Sequence, residues 1–191
     1  LNQRIEYQIL SAERNQSHFA LFVMDLDFFK EINDTLGHAT GDQLLIETAT
    51  RIQNLIRKSD TLARLGGDEF AILLPDTDKQ AVEQLANQIM DTVNQPYQLN
   101  QDQVKVGISI GVVCYPDDGD NVDNLLQYAD MAMYTAKRKR IGFSSYNPEE
   151  NFYSKERLSL INSLPEAIEK DLIQVYFQPQ ISSQNQKVYG R

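Results

Sequence analysis

The sequence predicts an α/β domain over roughly its first 145 residues, followed by a short tail of different composition. Three observations carry that expectation. Phe19-Ala20-Leu21-Phe22-Val23-Met24 is continuously apolar over strand length, as suits a central strand buried on both faces. Two further apolar runs, Thr61 to Leu65 and Phe70 to Leu74, flank Gly66-Gly67 and read as a β-hairpin with a tight turn. Amphipathic helical stretches alternate with such runs, giving the order β-α-α-β-β-α-β-β-α-β.

Taken in order, residues 1–15 carry Ile5, Ile9 and Ala12 at helical spacing and form an amphipathic helix. The first strand ends in Asp25-Leu26-Asp27, which places its carboxylates at the strand's C-terminal end. A short helix follows from Phe28 to Thr35, broken at Leu36-Gly37-His38. Gly41-Asp42 then opens a longer helix, with Leu44, Leu45, Ala49, Ile52, Leu55 and Ile56 on one face, ending near Arg57 to Asp60. After the hairpin, Pro75 to Asp78 stops the strand and caps a helix whose apolar stripe is Val82, Leu85, Ala86, Ile89, Met90 and Val93, ended by Pro96. A short strand at Tyr97 to Leu99 turns into a longer one, Val104 to Tyr115, half-buried by its alternation. Gly107 and Gly111 mark where neighbours approach it closely. The last helix runs from Val122 to Arg140 and the last strand from Ile141 to Tyr146.

Composition shifts at Asn147-Pro148-Glu149-Glu150-Asn151, which reads as a linker. Residues 148–191 then hold a helix-like run to Leu172, interrupted by Pro165, and an alternating strand-like segment, Ile173-Val175-Phe177. Such a tail buries too little surface to stand alone and reads as the beginning of a second domain. A chain that begins at Leu1 rather than methionine reads as an excerpt.

Of 191 residues, 41% are hydrophobic and 24% charged, ordinary values for a soluble globular protein. The net charge of -9 argues against a general nucleic-acid binder or direct contact with an anionic membrane. An anionic ligand then needs metal ions or a local basic cluster. The one cysteine, Cys114, excludes an internal disulfide and fits a reducing, cytoplasmic compartment. No apolar run approaches the roughly 20 residues of a membrane span.

Chemistry concentrates around the hairpin. If the Asp25 strand neighbours the hairpin, Asp25 converges with Asp68 and Glu69. Two unit charges about 4 Å apart repel by roughly 4 kcal/mol at an effective dielectric near 20, so a counter-charge is needed. Oxygen-only ligands with room left for water suit Mg²⁺, usually together with substrate phosphates.

Several motifs agree in order and spacing: Asp25-Leu26-Asp27-Phe28-Phe29-Lys30-Glu31-Ile32-Asn33-Asp34, Gly37-His38, Gly41-Asp42, Arg64-Leu65-Gly66-Gly67-Asp68-Glu69-Phe70, Ser109-Ile110-Gly111 and Ala129-Asp130-Met131-Ala132-Met133-Tyr134-Thr135-Ala136-Lys137. Over residues 1–147 the chain resembles the GGDEF family of diguanylate cyclases. Leu172 to Ile181 resembles the opening strand of an EAL phosphodiesterase domain, making 148–191 a linker plus an EAL fragment. The resemblance implies a mostly antiparallel five-stranded sheet flanked by helices, like the core of nucleotidyl cyclases and polymerase palms. It also implies a chemistry in which two GTP molecules, one per subunit of a homodimer, condense into cyclic di-GMP and pyrophosphate.

Carried over by position, Asp25, Asp68 and Glu69, with the Leu26 carbonyl, hold Mg²⁺, with Mn²⁺ as an alternative. Asp68 or Glu69 helps deprotonate the attacking 3′-hydroxyl, and Gly66 and Gly67 form the substrate-facing turn. Asn33 and Asp42 read the guanine edge, as an amide and a carboxylate can. A turn-forming Asn and a helix N-cap Asp are their structural alternatives. Phe28 and Phe29 cover the triphosphate with backbone N–H groups, assisted by Lys30; core packing is compatible with that role. His38 is a turn histidine near the pocket, counted with the substrate-binding residues. Lys137 contacts the phosphates, although cations at a helix C-terminus are favoured in any case. The family usually continues after this lysine with Gly-Arg-Asn, whereas this chain has Arg140-Ile141-Gly142. Ile141 then replaces a phosphate-gripping arginine, and Arg138 or Arg140 would have to substitute. Arg57 and Asp60 match the family's RxxD product-inhibition site. The alternative reading is a domain that binds GTP or cyclic di-GMP and regulates an attached phosphodiesterase.

Overall fold

The computed structural model describes residues 1–150, 155–170, 172–174 and 176. They fall into two compact units, Leu1–Phe152 and Tyr153–Arg191. The first contains α1 (Asn2–Asn15), β1 (Phe19–Leu26), α2 (Phe29–Leu36), α3 (His38–Gln53), β2 (Thr61–Gly66), β3 (Glu69–Pro75), α4 (Lys79–Val93), β4 (Tyr97–Leu99), β5 (Asp102–Val104), β6 (Ile108–Tyr115), α5 (Val122–Lys139), β7 (Phe143–Ser145) and a 3₁₀ turn, Pro148–Glu150.

Five strands form one sheet in the order β2-β3-β1-β6-β7, while β4 and β5 make a separate two-stranded ribbon. All neighbours in the main sheet are antiparallel except β6 and β7, which run parallel. The centre of the sheet is β1, and its continuous apolar sequence has the expected reason: helices cover both faces. Phe22, Met24, Leu26, Phe70, Ile72, Ile108 and Ile110 pack towards Leu44, Ile52, Ala86 and Ile89 of α3 and α4. On the other face Phe19, Leu21, Val23, Leu73 and Val113 pack towards Ile5 and Ile9 of α1 and Leu125, Ala129 and Met133 of α5.

The expected strand over 104–115 is two strands. Val104 pairs with Tyr97 in the ribbon, residues 105–107 leave the ladder, and β6 begins at Ile108. Next to the break, the Asp27 backbone N–H donates to the Gly107 carbonyl at 2.9 Å, continuing the β1–β6 register by one residue. A side chain at Gly107 would meet the Asp27 carboxylate, its Cβ only 2.5 Å from Oδ2. Nor is β6 half-buried: helices cover both of its faces, so its alternation separates two cores rather than core from solvent. At Gly111 a Cβ would lie 1.9 Å from the Ala129 carbonyl oxygen, so α5 packs directly on the strand backbone.

Helix α3 begins at His38, not at Gly41-Asp42, because Gly37 in an extended left-handed conformation (φ 84°, ψ 155°) serves as its N-cap. Asp42 is therefore inside the helix and does not cap it. The helix also stops earlier than expected, at Gln53, and Arg57 to Asp60 form a turn. Arg51 anchors its C-terminal part: the guanidinium donates to the carbonyls of Thr92, Gln95 and Pro96 and lies 3.5 Å from the centre of the buried Tyr97 ring. Asp78 caps α4 as expected, accepting from the Ala81 N–H at 2.8 Å.

In the second unit, α6 (Lys155–Glu169) continues through Pro165, which costs a backbone hydrogen bond without ending the helix. Residues 172–174 and 176 carry no regular element. The rest of the expected strand segment lies outside the described residues.

Candidate active site

The β2–β3 hairpin closes by Gly66 pairing with Glu69, leaving Gly67-Asp68 as a two-residue turn. Of the two glycines only Gly67 needs left-handed backbone (φ 52°), while a Cβ at Gly66 would meet open space. The Arg64 Nε–H donates to the Gly67 carbonyl at 2.9 Å and holds the turn. Because β3 lies beside β1, the Asp68 carbonyl accepts from the Leu26 N–H, and Asp25 stands directly opposite Glu69. Opposite residues of an antiparallel pair share a face, so both carboxylates point to the α5 side of the sheet.

Asp130 and Lys137 on α5 are two turns apart and share one side of the helix. The Lys137 Nζ donates to Asp25 Oδ1 at 2.5 Å. The counter-charge that the acidic cluster requires is thus a lysine from the last turn of α5. Burial pushes the Asp25 carboxyl above its usual range, and Asp68 and Asp27 add to that; the hydrogen bond and charge of Lys137 oppose it without cancelling it. Burial raises Glu69 too, followed by repulsion from Asp130, Asp25 and Asp68. For Lys137, burial acts downwards and is outweighed by Asp25, so its ammonium titrates above the usual lysine range.

Beside this cluster lies a cavity of about 580 Å³. The β1–α2 turn and the start of α2 line it with Leu26, Asp27, Phe28, Phe29, Lys30 and Glu31, and the hairpin contributes Asp68. Its other wall is Ile108 and Ser109, the end of α4, and Lys137, Arg140 and Gly142. Phe28 is 69% exposed in a left-handed conformation, φ 60°, at the N-cap of α2. Phe29, by contrast, is buried in the core, so the core-packing role expected of the pair falls to Phe29. The first amides of α2 have no intrahelical partner and face the end where anions are favoured.

The sequence-derived set divides into three places. Asp25, Leu26, Phe28, Phe29, Lys30, Asp68, Glu69 and Lys137, with the Gly66-Gly67 turn, gather at the ends of β1 and β3. Asn33 on α2 and His38 and Asp42 on α3 flank the connection at Gly37 and do not line that cavity. There the Asn33 Oδ1 is buried without a hydrogen-bond partner, and a Cβ at Gly41 would lie 1.8 Å from it. Asn33 therefore packs against the residue that precedes Asp42. Arg57 and Asp60 form a third locus: the Arg57 N–H donates to Asp60 Oδ2 at 2.7 Å and Ser59 Oγ to Oδ1 at 3.1 Å. That turn precedes β2, and Arg57 is exposed.

Several lining residues, Asp27, Glu31 and Ser109 among them, are not among the site residues singled out from the sequence. Asp27 accepts from Ser109 Oγ at 2.8 Å, fixing the carboxylate against Gly107. Its signal was the second acid of Asp25-Leu26-Asp27. Ser109 had none beyond its place in a motif, and Glu31 none beyond helical spacing.

Among the described residues no group of three or more His, Cys, Asp and Glu side chains is arranged to hold a metal ion. Asp25, Asp68 and Glu69 are thus not a ready-made cage, since Lys137 already engages Asp25. Two carboxylates and a backbone carbonyl are, however, the hard oxygen donors from which Mg²⁺ takes one or two ligands, completing its shell with water and substrate phosphates. The donor set fits a metal delivered with a nucleotide. Among the described residues no helix is long and apolar enough to cross a membrane.

The family model described as "Diguanylate cyclase, GGDEF domain" matches residues 1–142. The bifunctional diguanylate cyclase/cyclic di-GMP phosphodiesterase MucR of Pseudomonas aeruginosa is 39% identical over 191 residues, covering 100% of this chain and 28% of that protein. The cyclic di-GMP phosphodiesterase PdeR of Escherichia coli is 35% identical over 179 residues, covering 93% of this chain and 27% of PdeR. The chain thus spans little more than a quarter of the length of these relatives. Among solved structures, the GGDEF domain of TpbB (YfiN) from Pseudomonas aeruginosa superimposes with a TM-score of 0.74 at 39% identity, covering 76% of this chain and 92% of that one.

Proposed function

The chain belongs to the GGDEF family of diguanylate cyclase domains, and from that premise we propose that it condenses two GTP molecules into cyclic di-GMP and pyrophosphate. The observation that carries this reading is the gathering of Asp25, Asp68 and Glu69 at the ends of two adjacent strands, with Lys137 and the large cavity beside them. A triphosphate in that cavity would take the unpaired amides at the start of α2 and the charge of Lys30. Asn33 and Asp42 would read guanine; the unpartnered Asn33 Oδ1 supports a ligand donor there.

Asp25, Asp68 and the Leu26 carbonyl would hold Mg²⁺, or Mn²⁺, with Glu69 beside them. When bound, the ion neutralises phosphate charge and lowers the pKa of a coordinated hydroxyl. The residues' own contributions are distinct. Glu69, raised by burial and by three neighbouring acids, is suited to accept the proton of the attacking 3′-hydroxyl. Lys137, paired with Asp25 in the free chain, would turn to the phosphates in the loaded site.

One site holds one GTP, so reaction requires two domains facing each other about a two-fold axis. Arg57 and Asp60 would bind product at the exposed turn before β2, the guanidinium gripping guanine or phosphate. Residues 148–191 would open an EAL phosphodiesterase domain, a reading supported by the match of all 191 residues of this chain to part of the bifunctional MucR.

A second reading, a nucleotide-binding domain that regulates an attached phosphodiesterase, is favoured by one feature: Ile141 stands where the resemblance places a phosphate-gripping arginine. The similarity to the phosphodiesterase PdeR supports it. The deciding experiment incubates the chain, stripped of bound product, with GTP and Mg²⁺ beside Asp68→Ala/Glu69→Ala. Cyclic di-GMP formed by the unsubstituted chain alone supports the cyclase; GTP binding without product supports the regulator.

A further inference from the structure

Resting on the reading of the cavity as a GTP site, we infer that Asp27 and Ser109 act together as positioning residues. They clamp the β1–α2 turn so that the first amides of α2 meet the phosphates. The turn needs a clamp because of Phe28, which occupies left-handed backbone (φ 60°, ψ 22°) at the N-cap of α2. An N-cap is normally extended, as Asp78 and Asn121 are before α4 and α5. The other non-glycine residues with positive φ, among the described residues, stand where that conformation is customary. Gln16 and Arg140 are helix C-caps, and Asp76 and Asn100 are residue types that tolerate it. Phe28 is neither, and its exposed ring gains little from packing. Its strain is therefore carried by its neighbours. On one side, burial in the core fixes Phe29.

On the other side Asp27 is tied to residues 107–109 through its backbone and both carboxylate oxygens. Its N–H donates to the Gly107 carbonyl at 2.9 Å, its Oδ1 accepts from Ser109 Oγ at 2.8 Å, and its Oδ2 lies where a Cβ at Gly107 would press. Ser109 is buried and stands opposite Asp25 in the β1–β6 ladder, so its hydroxyl reaches Asp27 from a rigid strand. Nothing within α2 duplicates this hold. The helix has no side-chain cap and begins its backbone bonding with Ile32 to Phe28, which leaves the amides of Phe29, Lys30 and Glu31 without intrahelical partners. Those amides serve an anion only if the turn aims them at the cavity, which Asp27, Phe28 and Ser109 line together. A carboxylate held by a hydroxyl and set against Gly107 is thus an anchor for the turn, distinct in role from Asp25 and Asp68.

The test compares the unsubstituted chain with Ser109→Ala, Asp27→Ala, Asp27→Asn and the double variant Asp27→Ala/Ser109→Ala. In the ligand-free chain, hydrogen exchange of the Ile32 amide should quicken about tenfold in Ser109→Ala, while the Val23 amide in the middle of β1 keeps its rate. Equilibrium binding with Mg²⁺ should show GTP weakened about tenfold by Ser109→Ala or by Asp27→Ala, the loss of a hydrogen bond to a charged group, with guanosine unchanged. The double variant should bind GTP no more weakly than the weaker single one, because both break one clamp. Asp27→Asn keeps the oxygen that accepts from Ser109 and should restore most of the affinity that Asp27→Ala loses. GTP affinity unchanged in Ser109→Ala, an equal loss for guanosine, or losses that multiply in the double variant would overturn the clamp and leave the GTP site standing. So would Mn²⁺ binding, followed by electron paramagnetic resonance, that is lost in Asp27→Asn and kept in Ser109→Ala, since Asp27 would then be a metal ligand. An unsubstituted chain that binds neither GTP nor guanosine ends the GTP reading, and this inference with it.

Discussion

Lys137 and Asp25, 112 positions apart in the chain, meet in a 2.5 Å ion pair where α5 crosses the end of β1. The lysine side chain is 45% exposed and the aspartate 13%, so the pair sits at the boundary between core and cavity. There Lys137 competes with any cation for the same carboxylate.

Replacing Lys137 with methionine should therefore have two opposite effects. Mn²⁺ binding without nucleotide, followed by electron paramagnetic resonance, should tighten because the competing ammonium is gone. Product formation should fall by about 10²-fold because a phosphate-facing cation is lost. Parallel losses in both would show that the substitution had merely disordered the site.

The acidic cluster predicts a pH dependence. The carboxyls of Asp25 and Glu69 are raised above 3.8 and 4.5, burial being the largest cause for each. A folded-state pKa above the unfolded value contributes stability below the unfolded pKa, and that contribution is lost as pH rises through the folded one. Thermal stability contributed by these groups should rise as pH falls from neutrality into the carboxylate range. Asp25→Asn should raise the midpoint at pH 7 and flatten its pH slope. Metal-dependent GTP binding should move the other way, weakening as protons occupy the ligands.

At the α2–α3 turn, Gly41→Ala would press its Cβ onto the Asn33 amide, 1.8 Å from Oδ1 before relaxation. The expected cost is about 1–3 kcal/mol of stability. Asn33→Ala, which removes the buried unpartnered oxygen, should cost less stability than Gly41→Ala and yet erase the preference for GTP over ATP. Chemical denaturation and competitive nucleotide binding check the two halves.

Gly111→Ala should be the more damaging glycine change. Its Cβ would lie 1.9 Å from the Ala129 carbonyl oxygen and 2.2 Å from the Met133 nitrogen, both helix backbone that cannot rotate aside. A loss of about 3 kcal/mol or more is expected, visible as a lowered denaturation midpoint.

Much of this arrangement was legible from local pattern. The unbroken run Phe19–Met24 marked a strand covered on both faces, and Gly66-Gly67 between two apolar runs marked the hairpin. The convergence of Asp25 with Asp68 and Glu69 needed one assumption, that β1 neighbours β3, and they do pair. What escaped depended on contacts distant in sequence. The alternation of Val104, Val106 and Ile108 continues through residues 105–107, yet Val104 pairs with Tyr97 in the ribbon and Ile108 with Leu26 in the main sheet, a change of partner that local pattern does not show. Gly37 caps α3 through its backbone conformation, so Gly41-Asp42 misled as a start signal. Lys137 was expected on phosphate, and its pairing with Asp25 requires the crossing of α5 over the sheet. Of Arg138 and Arg140 only Arg140 lines the cavity, a difference the run Lys137-Arg138-Lys139-Arg140 does not encode.

The most direct test of the central claim is the initial rate of cyclic di-GMP formation as protein concentration is raised at saturating GTP and Mg²⁺, with bound product removed beforehand. Condensation across two facing domains predicts a rate rising with the square of concentration while the chain is largely monomeric, and becoming linear once it is paired. A specific rate independent of concentration in a chain shown to be monomeric, or no product at any concentration, would contradict it.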